Sequence, residues 1–487
     1  MQLNLASMTK EELAAVDSAS LNILSNVGVK FPNKDALDAL EGIGAKIDQK
    51  TMVARFSEKI LKDALKRAPR EVTLCARNPV HDLKLMKGHV HFCPSGCGIF
   101  VYDTDTRQRR TATKADAMKF ATVADALPNY HLVQVEIMPS DVPPQVADLY
   151  RFLAGLTNSS KHISNVIAPG ASAETARGVI QMAATVAGGV DELKKRPIIS
   201  VHQEPISPLQ YDENGLSILI EYAKGCIPIS LYSLSMGGAT APVTVAGQLV
   251  VINAEILAGI ALIQAISPGC PVLYGASASV MDLATGALAM GAPERALVMV
   301  GVINLARFYG FPSMPAAMNT EASMPGSQAA FEKIVSTLPL VLAGADVIFG
   351  GGTFDSANTY SLDQLVMDDE MCGAMLRVAK GFNTGEEELA QKVIKDVGIG
   401  GHFLSQSHTL KHANAERWFP SLYRRMKKTE TEWSLEAIGK YDLAASAKKK
   451  VDEILKTHKP EPLSGDVQRR VDEIVARAEK QLAVPAK

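Results

Sequence analysis

A short apolar or β-branched run, then a loop, then a helical stretch recurs from about residue 116 onward, and this alternation constrains the fold more than any other feature. The strand candidates are 131–138, 162–168, 197–202, 227–231, 272–274, 313–318, 346–349 and 364–367. Helical stretches lie between them at 172–187, 215–224, 244–266, 284–308 and 328–342. About eight parallel strands with crossover helices predict an α/β fold, a (β/α)8 TIM barrel, over an open doubly wound sheet. No GxGxxG or Walker A pattern follows the first strand, which also disfavours the open sheet.

The two ends of the chain differ from the repeating part. Residues 1–115 combine capped amphipathic helices, such as the one after Thr9, with short β-like pieces over 72–103, and predict an α+β extension. The barrel domain is expected over 116–415. Residues 416–487 predict a helical tail packed on the barrel, with helices over 435–457 and 467–482. From Arg417 onward, 16 Lys and Arg face 11 Asp and Glu, which favours a solvated face and leaves an acidic docking partner as the alternative.

Charge and cysteine usage exclude several classes of protein. The 487 residues carry 50 Lys and Arg against 52 Asp and Glu, a net charge of −2, so neither nucleic acid nor an anionic membrane is an expected partner. Six scattered cysteines and an N-terminus without a signal-peptide pattern predict a reducing cytoplasm. The apolar stretch 249–266 is interrupted by Asn253, Glu255 and Gln264, so no membrane span is expected.

In a TIM barrel the reactive groups follow the carboxyl ends of the strands. That rule selects the following residues: His202, Gln203, Glu204, Tyr232, Ser235, Met236, Tyr274, Ser277, Asn319, Glu321, Phe354 and Asp355. His202 and Glu204 are two apart and would share one side of a continuing strand, as a metal site, an acid/base pair or a polar strand end. Gly237 and Gly238, and likewise Gly350 to Gly352, follow strands and predict either an anion-binding loop or a tight turn.

Dedicated metal motifs are weak in this sequence. His402, His408 and His412 form a local cluster, but no glutamate follows His408 as a zinc-protease motif requires. Cys93 and Cys97 have no second cysteine pair to complete a zinc site. No bound metal is therefore expected, although a metal-dependent barrel enzyme built on His202, Glu204 and the histidines near 408 stays an alternative.

Several long segments, in order along the chain, resemble the trimethylamine methyltransferase superfamily, the corrinoid-dependent amine methyltransferases. They are YDTDTRQRR (102–110), ISPLQYDENG (206–215), GATAPVTVAGQLVVINAEILAGI (238–260), SPGCPVLYG (267–275), MDLATGALAMGAPERAL (281–297), LAGADVIFGGG (342–352), AERWFPSL (415–422) and HKPEPL (458–463). The resemblance covers most of the chain and implies a (β/α)8 barrel. It also implies transfer of a methyl group from an amine to the Co(I) of a corrinoid carried by a cognate partner protein, with no cofactor held tightly by this chain.

One departure from the family pattern bears on the substrate. Members that use trimethylamine carry pyrrolysine after the sixth strand, where this chain reads NTEASMPGSQAA (319–330) and places Ser323 at or beside that position. The resemblance then implies a quaternary amine, whose nitrogen already leaves as a neutral amine. Glycine betaine, giving dimethylglycine, is the expected substrate, and proline betaine, carnitine and γ-butyrobetaine are the alternatives.

A quaternary ammonium group is held best by aromatic faces with a carboxylate nearby. Only 6% of the residues are aromatic, so the candidate faces are few: Tyr232, Tyr274, Phe354 and Tyr360. Glu204, Glu321 or Asp355 would supply the charge, and His202 and Asn319 would donate to the substrate carboxylate. No catalytic residue is assigned. A homo-oligomer is expected, and a non-catalytic betaine-binding protein is a further alternative.

Overall fold

The structure is a computed structural model. It describes residues 5, 8–86, 88–94, 98–104, 106–135, 137–423 and 442–482. Cys97 and the first part of the predicted helix 435–457 lie outside the described residues.

A curled parallel sheet forms the centre of the molecule. Its strands are β1 (His91–Cys93), β2 (Leu132–Val133), β3 (His162–Val166), β4 (Ile199–Gln203), β5 (Ile229–Ser233), β6 (Val272–Ala276), β7 (Ser313–Pro315) and β8 (Val347–Phe349). Strands β2 to β7 pair in sequence order, and β8 pairs in parallel with β1. Parallel bridges link the two groups at Ala316 with Phe349 and at Phe92 with Tyr130. The mixed α/β architecture with this curled sheet is consistent with a TIM-like fold.

Helices surround the central sheet, some packed on it and some on other helices. They are α1 (Lys10–Asn26), α2 (Lys34–Gly42), α3 (Glu58–Arg67), α4 (Lys114–Ala126), α5 (Ala147–Asn158), α6 (Ala173–Ala187), α7 (Val190–Lys195), α8 (Glu213–Lys224), α9 (Val245–Ile266), α10 (Pro293–Tyr309), α11 (Ser327–Leu342), α12 (Leu362–Lys380), α13 (Glu386–Leu389), α14 (Gln391–Val397), α15 (Ser407–Glu416), α16 (Leu443–Thr457) and α17 (Gly465–Leu482). Side-chain caps such as Ser172 on α6 and Thr244 on α9 begin several of them.

Short strands form small sheets around the central one. They are Val29–Lys30, Val53–Arg55 and Lys46–Asp48; Thr73–Leu74 and Leu83–Lys84; Met236–Gly237, Ser279–Met281 and Leu288–Ala289; and Thr353–Phe354, Thr359–Tyr360, Phe100–Asp103 and Gln108–Thr111. Helix α16 packs on α4 and α12, and α17 packs on α5 and α6. The boundaries of the predicted domains at 115 and 415 stay predictions.

Two predicted elements are wrong. Residues 364–367, predicted as the last strand, lie in α12, which is buried on nearly every side and so shows no helical periodicity. Ser361 caps that helix and bonds to the backbone of Gln364, a start signal that the sequence does contain. The predicted helix 284–308 begins only at Pro293, and a short strand, Leu288–Ala289, precedes it.

The hydrophobic core has two parts. The larger lies between the sheet and the helices, where Ile163, Val201 and Leu231 point outward. The smaller lies inside the curl of the sheet and includes Leu132, Leu273, Met314, Val347 and Phe349. Helix α9 is long and apolar enough to cross a membrane, but 78% of its most apolar window is buried within the protein, as in the core helix of a folded domain.

Candidate functional site

Three aromatic side chains from different strands meet at the carboxyl ends of the sheet. His202 of β4, Tyr232 of β5 and Phe349 of β8 point inward, and all three are buried. The ring centroids of Tyr232 and Phe349 are 4.5 Å apart, and those of His202 and Phe349 are 5.5 Å apart. His202 and Tyr232 are edge-to-face at 5.8 Å. We call these three residues the aromatic cluster.

The imidazole of His202 is held by a chain of buried polar groups. His202 Nε2 is 2.8 Å from Ser164 Oγ, to which Ser200 Oγ donates at 2.7 Å. Ser200 Oγ is 2.8 Å from Nε2 of His162, whose Nδ1 is 2.7 Å from the carbonyl oxygen of Cys75. Burial lowers the pKa of His202 to about 3 and that of His162 to about 4. Both rings are therefore neutral at pH 7, and the aromatic cluster carries no positive charge that would repel a cation.

A cavity of about 360 Å³ opens beside the aromatic cluster. It lies between the loops that follow β3 and β4 and the first turn of α8, and His202, Gln203 and Glu204 line it with Val166 and Asn214. This size suits a small-molecule site. The structure thus places the predicted residues His202 and Glu204 on one cavity.

Asn319 and Glu321 lie on the loop that follows β7. Asn319 Oδ1 accepts a hydrogen bond from Arg295 Nη2 at 3.1 Å, and Glu321 Oε1 accepts one from the backbone of Gly291 at 2.6 Å. Burial raises the pKa of Glu321, and the neighbouring Glu332 adds to that effect. Ser323 is exposed on the same loop.

Tyr274 does not face the strand ends. Its hydroxyl donates to Asn253 Oδ1 of α9 at 2.9 Å, and its ring stacks on Tyr309 of α10. Tyr274 is therefore buried between the sheet and the helices. This position contradicts its predicted place in a cation site at the carboxyl ends of the sheet.

Phe354, Asp355 and Tyr360 also have their contacts elsewhere. The ring of Phe354 is buried with Lys333 Nζ at 5.6 Å from its centroid, so a cation of the protein already faces it. Asp355 forms an ion pair with Arg109 at 2.8 Å. Tyr360 is buried and packs edge-to-face on Phe120 of α4. These contacts do not support the predicted roles of the three residues in binding the substrate.

The two glycine segments behave as turns. Gly350, Gly351 and Gly352 all have positive φ, and a Cβ at Gly350 would overlap the carbonyl oxygen of Ala317. The N–H of Gly352 donates to buried Asp368 at 2.6 Å, and that of Gly238 to the carbonyl of Ala241. These N–H groups are engaged within the protein, which favours the tight turn over an anion-binding loop.

The histidines near position 408 form no metal site with His202. His408 and His412 both contact Glu387, through its carbonyl and its carboxylate respectively. Within the described ranges, no group of three or more His, Cys, Asp or Glu is arranged to hold a metal ion.

Two residues at the carboxyl ends of the sheet were not predicted from the sequence. Phe349 ends a predicted strand, so the rule that selected its neighbours could have found it. Arg295 is fully buried near the start of α10, and a charged residue in a mostly apolar helix was its only signal in the sequence.

Comparison with known proteins places the chain in a family. The model of the trimethylamine methyltransferase (MTTB) family matches residues 2–483. Trimethylamine methyltransferase MttB of Desulfitobacterium hafniense is 33% identical over 480 residues, which cover 99% of this chain and 95% of that protein. A glycine betaine methyltransferase of the same species is 31% identical over 477 residues, covering 98% and 97% respectively.

A solved structure supports the fold. The crystal structure of monomethylamine methyltransferase MtmB of Methanosarcina barkeri superposes with a TM-score of 0.50 at 11% identity, covering 97% of this chain and 91% of that one. Fold and family together place the protein among the methyltransferases. The chain belongs to the trimethylamine methyltransferase (MTTB) family, as its sequence resemblance implied.

Proposed function

We propose that this enzyme transfers a methyl group from a quaternary amine to the Co(I) of a corrinoid carried by a cognate partner protein. Glycine betaine is the proposed substrate and dimethylglycine the product. The observation that carries the proposal is the neutral aromatic cluster at the carboxyl ends of the sheet, beside a cavity of suitable size. The relative named as a glycine betaine methyltransferase supports it.

The aromatic cluster suits a trimethylammonium group. Each aromatic face near such a cation contributes about 0.5–2 kcal/mol, more where water is excluded. His202 adds a third ring without a charge, since burial keeps its pKa near 3. Glu204 lines the adjacent cavity and Glu321 lies on the loop after β7, and either carboxylate would favour a cation over a neutral amine.

Ser323 supports a quaternary substrate. In the family pattern, the pyrrolysine position lies on the loop that here carries Ser323, an ordinary and exposed residue. A quaternary nitrogen leaves as a neutral amine, so the reaction needs no general acid. The protein then has to hold the substrate with one methyl carbon open to in-line attack.

Other features belong to the same proposal. We infer that the bridges at both ends of the paired strands close the sheet into a (β/α)8 barrel whose first strand is β1. The cytoplasmic location, a homo-oligomeric state and the three-part domain organisation are proposed with it. Proline betaine, carnitine and γ-butyrobetaine stay as alternatives because each also joins a quaternary nitrogen to a carboxylate.

Methyl transfer to cob(I)alamin tests the proposal directly. The enzyme is mixed with chemically reduced cob(I)alamin and one amine at a time, and the loss of Co(I) absorbance is followed together with the demethylated product. Glycine betaine is expected to give one dimethylglycine for each Co(I) consumed. Turnover of trimethylamine and of no quaternary amine would refute the proposal. If the protein binds betaine but transfers no methyl group to any acceptor, the corrinoid protein included, it would be a non-catalytic binding protein.

A further inference from the structure

Arg295 is a buried cation with an incomplete set of partners. Its side chain is fully buried near the N-terminus of α10. Nη1 donates to the carbonyl of Ser277 at 3.1 Å, and Nη2 donates to Ser277 Oγ at 2.9 Å and to Asn319 Oδ1 at 3.1 Å. A guanidinium has five N–H donors, and Nε–H has no partner in the part of the chain that the structure describes.

Three other buried cations among the described residues have an ion-pair partner or several backbone acceptors. Arg151 forms an ion pair with Asp148 at 2.7 Å, and Lys333 forms one with Asp368 at 2.5 Å. Lys161 directs its ammonium group at three backbone carbonyls. Arg295 alone among these four residues has neither a carboxylate in an ion pair nor a complete set of acceptors. Since a buried charge is costly unless it is paired, the guanidinium of Arg295 is suited to bind an anion.

Arg295 lies at the same end of the sheet as the proposed active site. Ser277 follows β6 and Asn319 follows β7, so the guanidinium lies at the same carboxyl ends of the sheet as the aromatic cluster. The carboxylate of Glu321 is close enough to attract the guanidinium electrostatically, but burial outweighs this attraction and lowers the pKa of Arg295. An arginine stays protonated in a protein nonetheless. The carboxylate of Glu321 is engaged by the backbone of Gly291.

We propose that Arg295 binds the carboxylate of the substrate and thereby restricts the enzyme to quaternary amines that carry one. This inference rests on the proposed function and names the recognition of the other end of the substrate. The aromatic cluster would hold the trimethylammonium group and Arg295 the carboxylate, with Asn319 orienting the guanidinium. Arg295, rather than the neutral His202, then provides the charge that the carboxylate requires.

The test compares two ligands that share a trimethylammonium group. Glycine betaine has a carboxylate where choline has a hydroxymethyl group, and both are titrated calorimetrically into the wild-type enzyme and Arg295→Gln. The variant is expected to lose about 100-fold in affinity for glycine betaine, as when one partner of a buried ion pair is removed, and to bind choline within about twofold of wild type. Glu294→Gln, at the exposed neighbouring position, is the matched control and should change neither affinity.

Equal losses for both ligands, or no loss for either, would overturn the role of Arg295. Thermal unfolding establishes that the variant is folded. A variant at a buried position such as Arg295 can fail to fold, so a second test uses the wild-type protein. In that test, acetate should compete with glycine betaine but not with choline. Acetate that competes with both ligands, or with neither, would also overturn it. An enzyme that binds glycine betaine through Arg295 and yet transfers no methyl group would refute the proposed function while leaving the carboxylate site intact.

Discussion

Replacing Phe349 by leucine tests the aromatic cluster most directly. Phe349 ends β8, and its ring centroid lies 4.5 Å from that of Tyr232 and 5.5 Å from that of His202. Leucine fills most of the same space but has no aromatic face. Leucine is smaller than phenylalanine, and the change should cost about 0.5–3 kcal/mol of stability, so Phe349→Leu should fold.

The loss of one aromatic face sets the size of the effect. One cation–π contact is worth about 0.5–2 kcal/mol, which corresponds to a rise of about 2- to 30-fold in Kd. Isothermal titration with glycine betaine measures this change. A carboxylate ligand with a neutral tert-butyl group in place of the trimethylammonium group has no cation, so its weaker binding should change less.

Phe354→Leu is the matched control. Phe354 is an equally buried phenylalanine, but its ring faces Lys333 and packs on Tyr102. This variant should bind glycine betaine within about twofold of wild type. If Phe354→Leu weakened binding and Phe349→Leu did not, the cation site would lie around Phe354, as the sequence predicted, and the aromatic cluster would be only core packing.

Three further predictions concern buried groups near the carboxyl ends of the sheet: Lys333, His202 and Gly350. Lys333→Met should destabilise the fold by about 3–5 kcal/mol, because it leaves the buried carboxylate of Asp368 without its cation. For a chain of this length, a loss of 1 kcal/mol lowers the Tm by about 1 °C. Calorimetry should therefore show a fall in Tm of about 3–5 °C. Burial already raises the pKa of Asp368, so the carboxylate takes up a proton as pH falls and the loss should shrink in acid; a loss independent of pH would contradict this reasoning. His202 has a pKa of about 3 in the folded protein, whereas the unfolded chain binds a proton at this histidine below about pH 6.5. The free energy of unfolding should therefore fall as pH falls below about 6.5. Urea titrations at several pH values should show that the free energy of unfolding of His202→Gln depends on pH with a slope smaller by about 1.4 kcal/mol per pH unit. Gly350→Ala, at φ 151°, should cost about 3 kcal/mol or more, whereas Gly269→Ala, with open space around the added methyl group, should cost about 1 kcal/mol.

The sequence predicted most of the central sheet but not its starting point. Seven strand candidates correspond to β2 through β8, since each apolar run is bounded by clear turn residues. The short strand β1 (His91–Cys93) lay in the segment assigned to the N-terminal extension, and nothing in three residues signals a pairing partner that is more than 250 positions away. The buried helix α12 supplied a false eighth strand, because it buries polar as well as apolar residues on nearly every side and therefore has no readable period.

The site was harder to predict because a strand has two faces. Tyr232 and Tyr274 both lie near the ends of predicted strands, yet only Tyr232 points inward. In the pairing of β5 with β6, Tyr274 lies beside Leu231, and Tyr232 lies beside Gly275. Paired neighbours share a face, so Tyr274 joins Leu231 on the side of the helices. In a strand buried on both faces, the sequence does not show which residues belong to which face.

Polar side chains on the inside of the sheet hold the ring of His202. The interior of a TIM barrel is usually filled by branched apolar side chains, and β6 to β8 follow that pattern with Leu273, Met314 and Val347. On the opposite side, β3 and β4 place His162, Ser164, Ser200 and His202 in one buried hydrogen-bonded chain. Such a chain is rigid where its members have partners; the other ring nitrogen of His202, Nδ1, has no hydrogen-bond partner among the described residues. The chain begins at the carbonyl of Cys75, which contacts His162, the first residue of β3. The orientation of the His202 imidazole at the carboxyl end of the sheet is therefore fixed from the opposite end of the sheet.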